Sequence, residues 1–392
     1  MKKRKALVGA LLLTLMVIAC NDSVSSNLDG DDTVADDVVL DDIVVIKNET
    51  GTAISSFDDL SDAFDWLRRN AEEMGVYIVE IRDNLAISSQ TLEFRGNSVR
   101  ISLRGRNGMV TLNPVFTSGS LFRITSHVTL ALENNITLAG SNANSDSLII
   151  VERNGTLIMN RNTKITGNTN TESNGGGVTV RAGGEFIMNN GEISNNTSLN
   201  RQSNQGSTSI QSKGGGIYLE GHFTMNGGKI FGNVADLGGG VYSEGTAFIT
   251  DGEISGNTAY LGGGVYLTKT ATVQIVSGII YGTDSATSIA LSNRALSSDA
   301  PMSTHTAIKP FYLRGDTGFL DQDRSLAPEI ITGAAIEYGT LNSDGEFERS
   351  RESSYNGPGE TWNNTVRYLN GRAFTDPLPA TPPLDFLPQP RP

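Results

Sequence analysis

Two groups of residues in this chain have the types and spacing for chemistry: carboxylates close together in a repeated phrase, and a column of tyrosines. Asp251 and Glu253 stand two residues apart, about 7 Å in extended chain, a separation that suits the acid and base of an inverting glycoside hydrolase. Against that role, Gly252 interrupts the strand between them, and Lys229 is placed one repeat away to neutralise Glu253. The equivalent outward position reads Lys164, Glu192, Lys229, Glu253 in successive repeats. Alternating signs on neighbouring strands stabilise a stack, whereas a catalytic cluster needs carboxylates gathered together. No catalytic residue is assigned. His127, His222 and His305 are scattered, and no metal-ligand spacing or cofactor motif is present, so neither a metal nor a cofactor is expected.

Tyr218, Tyr242 and Tyr266 occupy one position in three successive repeats, preceded by Thr179. Alternation predicts that they face outward, where a ribbon of rings can stack on sugars or anchor a protein partner. The alternative is that the rings pack on each other and raise strand propensity.

The elements that position these residues are written as a repeat. Gly-Gly-Gly begins at Gly175, Gly214, Gly238 and Gly262, at intervals of 39, 24 and 24 residues. Each triplet is followed by alternating apolar and polar residues, then Met-Asn or its equivalent, then a Gly-x-Ile turn phrase. A period near 24 with turn residues every few positions leaves no room for helices and predicts three short strands per coil. Stacked copies of one unit bury a continuous core. The inward columns read Phe186, Phe223, Ala247, Val273; then Met188, Met225, Ile249, Ile275; then Ile165, Ile193, Ile230, Ile254, Ile280. Asn168, Asn196, Asn233 and Asn257 recur at one turn and predict a ladder of side-chain amide hydrogen bonds. The fold class is all-β, a right-handed parallel β-helix forming a single solenoid with an N-terminal capping helix.

The order Gly-Gly-Gly-[Val/Ile], with Phe186-Ile-Met-Asn189 and Phe223-Thr-Met-Asn226, resembles the GGA[ILV] and FxxN repeats of polymorphic outer-membrane adhesins. More broadly it is similar to pectate-lyase-like β-helix proteins of bacterial surfaces. The resemblance covers roughly residues 155–282; the third residue is Gly rather than Ala, and no membrane-barrel pattern follows. It implies surface display and adhesion, and a scaffold that elsewhere hosts polysaccharide lyases and hydrolases. Gly221-His222-Phe223 lacks the second glycine and the basic partner of the hydrolase pattern.

The rest of the chain divides around this body. Residues 1–20 read as a lipoprotein signal: Lys2-Lys3-Arg4-Lys5, an apolar run, then Val17-Ile18-Ala19-Cys20 as a lipobox. Cys20, the single cysteine, is the expected lipidation site and membrane attachment, and no disulfide is available. Residues 21–42 carry eight aspartates and no basic residue, most of the net charge of −13, and read as a self-repelling tether. Residues 43–76 form the cap, with Ser56 to Met74 read as an amphipathic helix covering the first open coil. Residues 77–282 form the β-helix, 283–375 further coils and a C-terminal cap. Residues 376–392, with seven of the twelve prolines, read as a disordered tail. Between Asn196 and Gly214 the segment Thr197–Lys213 is an insertion.

These features point to an exported, lipid-anchored protein of the outer membrane or cell surface. Its expected role is non-catalytic adhesion to a glycan or protein partner. The alternatives are a carbohydrate-active enzyme of the pectate-lyase-like class and a structural envelope component. Nucleic acid is excluded as a partner by the absence of a basic surface or motif.

Overall fold

The computed structural model describes residues 42–199, 212–268 and 270–281, together with Asn293 and short strands beyond it. These build a parallel β-solenoid of about seven coils. One coil shows the logic. Val241–Ser243, Thr246–Ile249, Glu253–Ser255 and Thr258–Leu261 are successive strands, separated by turns of two or three residues. Each pairs in parallel with its equivalents in the coils on either side, at Ile217–Leu219 and Val265–Leu267 for the first of them. We number the resulting sheets I (through Thr246–Ile249), II (through Glu253–Ser255), III (through Val241–Ser243) and IV (through Thr258–Leu261). Among the described residues they hold 12, 10, 8 and 5 strands.

The registers fall on the predicted columns. Phe186 pairs with Phe223, Phe223 with Ala247 and Ala247 with Val273. The methionine and isoleucine columns align in the same way. All of these side chains are buried in one continuous core. Phe186 and Phe223 rest ring on ring, 5.1 Å between centroids.

Three strands per coil were expected and four are present. After Asn257 the chain runs outward as Thr258–Leu261, then folds back through Gly262–Gly264 into the next coil. The glycine triplet makes this possible. Gly238 sits at φ +65°; a Cβ on Gly239 would lie 2.5 Å from the Thr258 carbonyl oxygen, and one on Gly240 would lie 3.0 Å from Asn257 Nδ2. Returning and outgoing backbones therefore lie side by side, closer than any side chain allows. Four residues that read as a connection are sheet IV.

The N-terminal cap is partly as predicted. β1 (Val44–Asn48) pairs antiparallel with both β2 (Ala53–Phe57) and β3 (Gly75–Ile81), the latter opening the parallel stack. The helix α1 spans Leu60–Asn70, shorter than the expected Ser56 to Met74. Its start is fixed by Asp59, whose carboxylate accepts a hydrogen bond from the Ser61 amide at 2.6 Å. Residues 53–57 belong instead to β2. Leu60, Ala63, Phe64 and Leu67 bury one face over the end of the solenoid. Phe64 meets Phe122 edge to face at 6.0 Å. At the other end the stack outlasts the legible repeat. Phe311–Leu313 extends sheet III and Ala335–Leu341 extends sheet I, both in parallel, before antiparallel strands at Phe347–Arg349, Val366–Leu369 and Arg372–Thr375 close the edge.

Candidate interaction surfaces

Tyr218, Tyr242 and Tyr266 pair in register on sheet III. Their rings stack at 5.5 and 5.0 Å, with interplanar angles of 21° and 9°. The expected exposed ribbon is not there: the three residues retain only 5, 3 and 2 % of their accessible surface. Sheet IV is the reason. The outward arm brings Leu237 over the outer face of sheet III, and the tyrosines pack with it as a second, separate hydrophobic cluster. The position is outward from the solenoid interior and still covered. The tyrosines serve as a packing column, and they offer no ring face to a ligand. In strand register the position continues one strand further than the sequence repeat, where Tyr312 pairs with Tyr266.

The hydroxyl side of the column is polar. Tyr218 Oη donates to Glu220 at 3.1 Å and Tyr242 Oη to Glu244 at 3.1 Å. Lys213 Nζ lies 3.2 Å from Glu244 and 4.8 Å from the Tyr242 ring centre. Burial, reinforced by the Glu244 carboxylate, pushes both phenols well above their ordinary range, so they stay protonated donors. Lys213 is the last residue of the insertion; residues 200–211 of that insertion lie outside the described residues, as does Cys20.

The outward charges behave as the sequence implied. Lys164 Nζ lies 2.9 Å from Glu192, and Lys229 Nζ lies 3.0 Å from Glu253. The hydrogen bond from Lys229 to Glu253, with that carboxylate's charge, raises the lysine pKa. Glu253 also accepts from Ser255 Oγ at 2.8 Å, and Asp251 accepts from the Gly252 amide at 2.8 Å. The best acidic pair is thus held by ion pairing and local turn bonds.

Two amide ladders flank sheet II. The buried one is the predicted column. Asn233 Oδ1 accepts from both the amide and Nδ2 of Asn196, at 2.9 and 3.1 Å. Asn233 Nδ2 donates to Ile193 O at 2.9 Å and to Asn257 Oδ1 at 3.0 Å. Asn257 repeats the pattern toward Asn293, which the sequence reading did not include. Every donor and acceptor of such a side chain is used.

The second ladder is on the surface, at the turn between sheets I and II. Thr250 Oγ1 donates to Asn226 Oδ1, Asn226 Nδ2 to Asn189 Oδ1, and Asn189 Nδ2 to Asn160 Oδ1, each at 2.9 Å. Asn160 Nδ2 ends the series on Glu133 Oε2 at 3.0 Å. Beside it is an open groove of about 540 Å³ lined by Glu133, Asn134, Asn160, Arg161, Asn189 and Asn190. Sequence reading treated Asn189 and Asn226 only as part of the repeated phrase. Their recurrence as the first residue of a turn was the available signal. Among the described residues no group of three or more His, Cys, Asp or Glu could hold a metal ion, and no helix is long and apolar enough to cross a membrane.

Comparison with known proteins adds no identity to this geometry: no protein-family model, no curated protein and no solved structure matches the chain.

Proposed function

We propose that this is an exported lipoprotein, anchored through Cys20, whose β-solenoid is held on an acidic tether as a non-catalytic module for adhesion or surface interaction. Its partner is a glycan or a protein. The repeat phrases resembling those of outer-membrane adhesins support this reading. The observation that carries it is the fate of the outward carboxylates. Glu192 and Glu253 stand where catalysis on such a scaffold would draw its acid and base, and lysines 2.9 and 3.0 Å away hold both. Carboxylates spent singly on cross-coil ion pairs are not gathered as the acid and base that such catalysis needs.

The test combines a glycan array and a cell-adhesion assay with measurements of reducing ends and unsaturated products on the same polysaccharides. Binding without product supports the module; catalytic release of either product overturns it. Cys20→Ser should move the protein from the membrane to the soluble fraction, because acyl chains supply the anchoring. Retention through an alkaline wash refutes the anchor.

A further inference from the structure

We propose that the surface groove at the turn between sheets I and II binds an extended neutral polysaccharide lying along the solenoid axis. This deepens the adhesion reading and rests on it. Three successive coils contribute two residues each: Glu133 and Asn134, Asn160 and Arg161, Asn189 and Asn190. Asn134, Arg161, Asn189 and Asn190 are exposed. The ladder leaves Asn160 and Asn189 half used. Each gives one N–H to the coil before it and accepts one bond from the coil after it. One N–H and one oxygen lone pair on each amide remain. Asn190 Oδ1 accepts from the Gly191 amide at 2.8 Å, which leaves its two N–H donors unused by that bond. The groove therefore presents donor and acceptor together at each coil, the complement of a sugar hydroxyl, which both donates and accepts.

The spacing and the charge narrow the ligand. Coils follow one another at about 4.8 Å, a step comparable to the length of a sugar ring, so equivalent amides meet successive rings of an extended chain. Of the two charged lining residues, Glu133 already has Arg100 Nη2 3.8 Å away, Arg161 adds a single positive charge, and the chain as a whole carries −13. A polyanion gains nothing from that field. No lining residue is aromatic, so recognition rests on hydrogen bonds repeated along the polymer and gains from its length. The volume is that of an ordinary ligand cleft.

Affinity electrophoresis of the whole protein, in native gels containing mannan, xyloglucan or mixed-linkage glucan, tests this, with polygalacturonate and plain gels alongside. Retardation is expected in at least one neutral polymer and not in polygalacturonate. The combined variant N134A/R161A/N190A should lose at least tenfold in affinity. Its melting temperature should hold, since none of these side chains belongs to the ladder; Arg161→Ala alone should give a partial loss. Unchanged retardation of the combined variant overturns the groove and leaves adhesion standing. Retardation by polygalacturonate alone overturns the neutral ligand. No retardation by any polymer, with cell adhesion intact, refutes the groove and points to a protein partner; loss of both refutes the adhesion reading as well.

Discussion

Asn233→Ala should be among the most damaging single changes this solenoid can suffer, although it removes a polar residue and only a few atoms. Asn233 is fully buried, and its side chain serves groups on both neighbouring coils. Truncation leaves the Asn196 amide and one Asn196 Nδ2 hydrogen without their acceptor, and Ile193 O without this donor. A buried polar group stripped of its partner costs about 1–3 kcal/mol, so three of them give a loss of at least about 3 kcal/mol. With a urea m-value of about 3 kcal/mol/M for a protein of this size, the unfolding midpoint should fall by about 1 M or more. The control is Asn226→Ala. That residue also gives and takes ladder bonds, to Asn189 and from Thr250, but it is exposed. Water replaces what is lost, and the change should stay within about 0.5 kcal/mol. Urea titrations followed by circular dichroism on both variants decide the matter. Equal midpoints would show that burial does not set the worth of these amides, and the reasoning would fall.

Three further outcomes are expected. Tyr242→Ala should cost about 3–5 kcal/mol, as for any large buried aromatic, while Tyr242→Phe costs much less; a melting temperature unmoved by the alanine change would contradict the covered column. Gly239→Ala should prevent folding or lower stability by several kcal/mol, since the new Cβ lies 2.5 Å from Thr258 O and 2.6 Å from Gly263 O; an alanine variant of native stability would mean that the two backbones are not in contact. The third concerns Glu80, which is buried, with Lys47 Nζ 2.7 Å and Arg104 Nη2 2.5 Å away. Burial acts to raise its pKa, yet the hydrogen bonds and charges of Lys47 and Arg104 outweigh it and hold the carboxyl below its ordinary value. A depressed folded pKa contributes stability that is present above the unfolded value, about 4.5, and lost as pH falls through the folded one. Glu80→Gln should therefore be less stable than wild type at pH 7, with the gap closing in acid; a gap of equal size at pH 7 and pH 3 would rule this out.

The stack was legible because each coil repeats one solution to one problem. Phe223 over Phe186, Met225 over Met188 and Ile230 over Ile193 are fixed by a period of two within a strand and a constant coil length. Reading those two periods gives the register directly. The amide ladder at Asn168–Asn257 was legible for the same reason. What escaped depends on contacts between segments. Tyr242 alternates as an outward residue, and nothing local says that Leu237 will be laid across it. Gly238–Gly240 read as turn residues, although their requirement is the close approach of Asn257–Thr258, a fact about another part of the coil. The last coil was expected only as further coils within 283–375, without registers, because Asn293, Phe311–Leu313 and Ala335–Leu341 keep the register but not the spacing. The surface groove left a trace only in the recurrence of Asn at one turn, which also fits a plain turn preference.

The buried ladder also bears on how long such a protein can become. Asn293 ends the series by donating its remaining hydrogen to Tyr281 O instead of to another amide. Coils inside the ladder need nothing from the ends, since each passes to the next the bonds it received. Duplicating residues 234–257 would insert a coil that continues the amide ladder, the inward columns and the tyrosine column, setting only Glu253 against a like charge in its own copy, and would lengthen the body by about 4.8 Å. Slippage at the gene could therefore add or remove whole coils in one event without disturbing either cap. The length of the solenoid would then be a quantity that evolution adjusts in fixed steps.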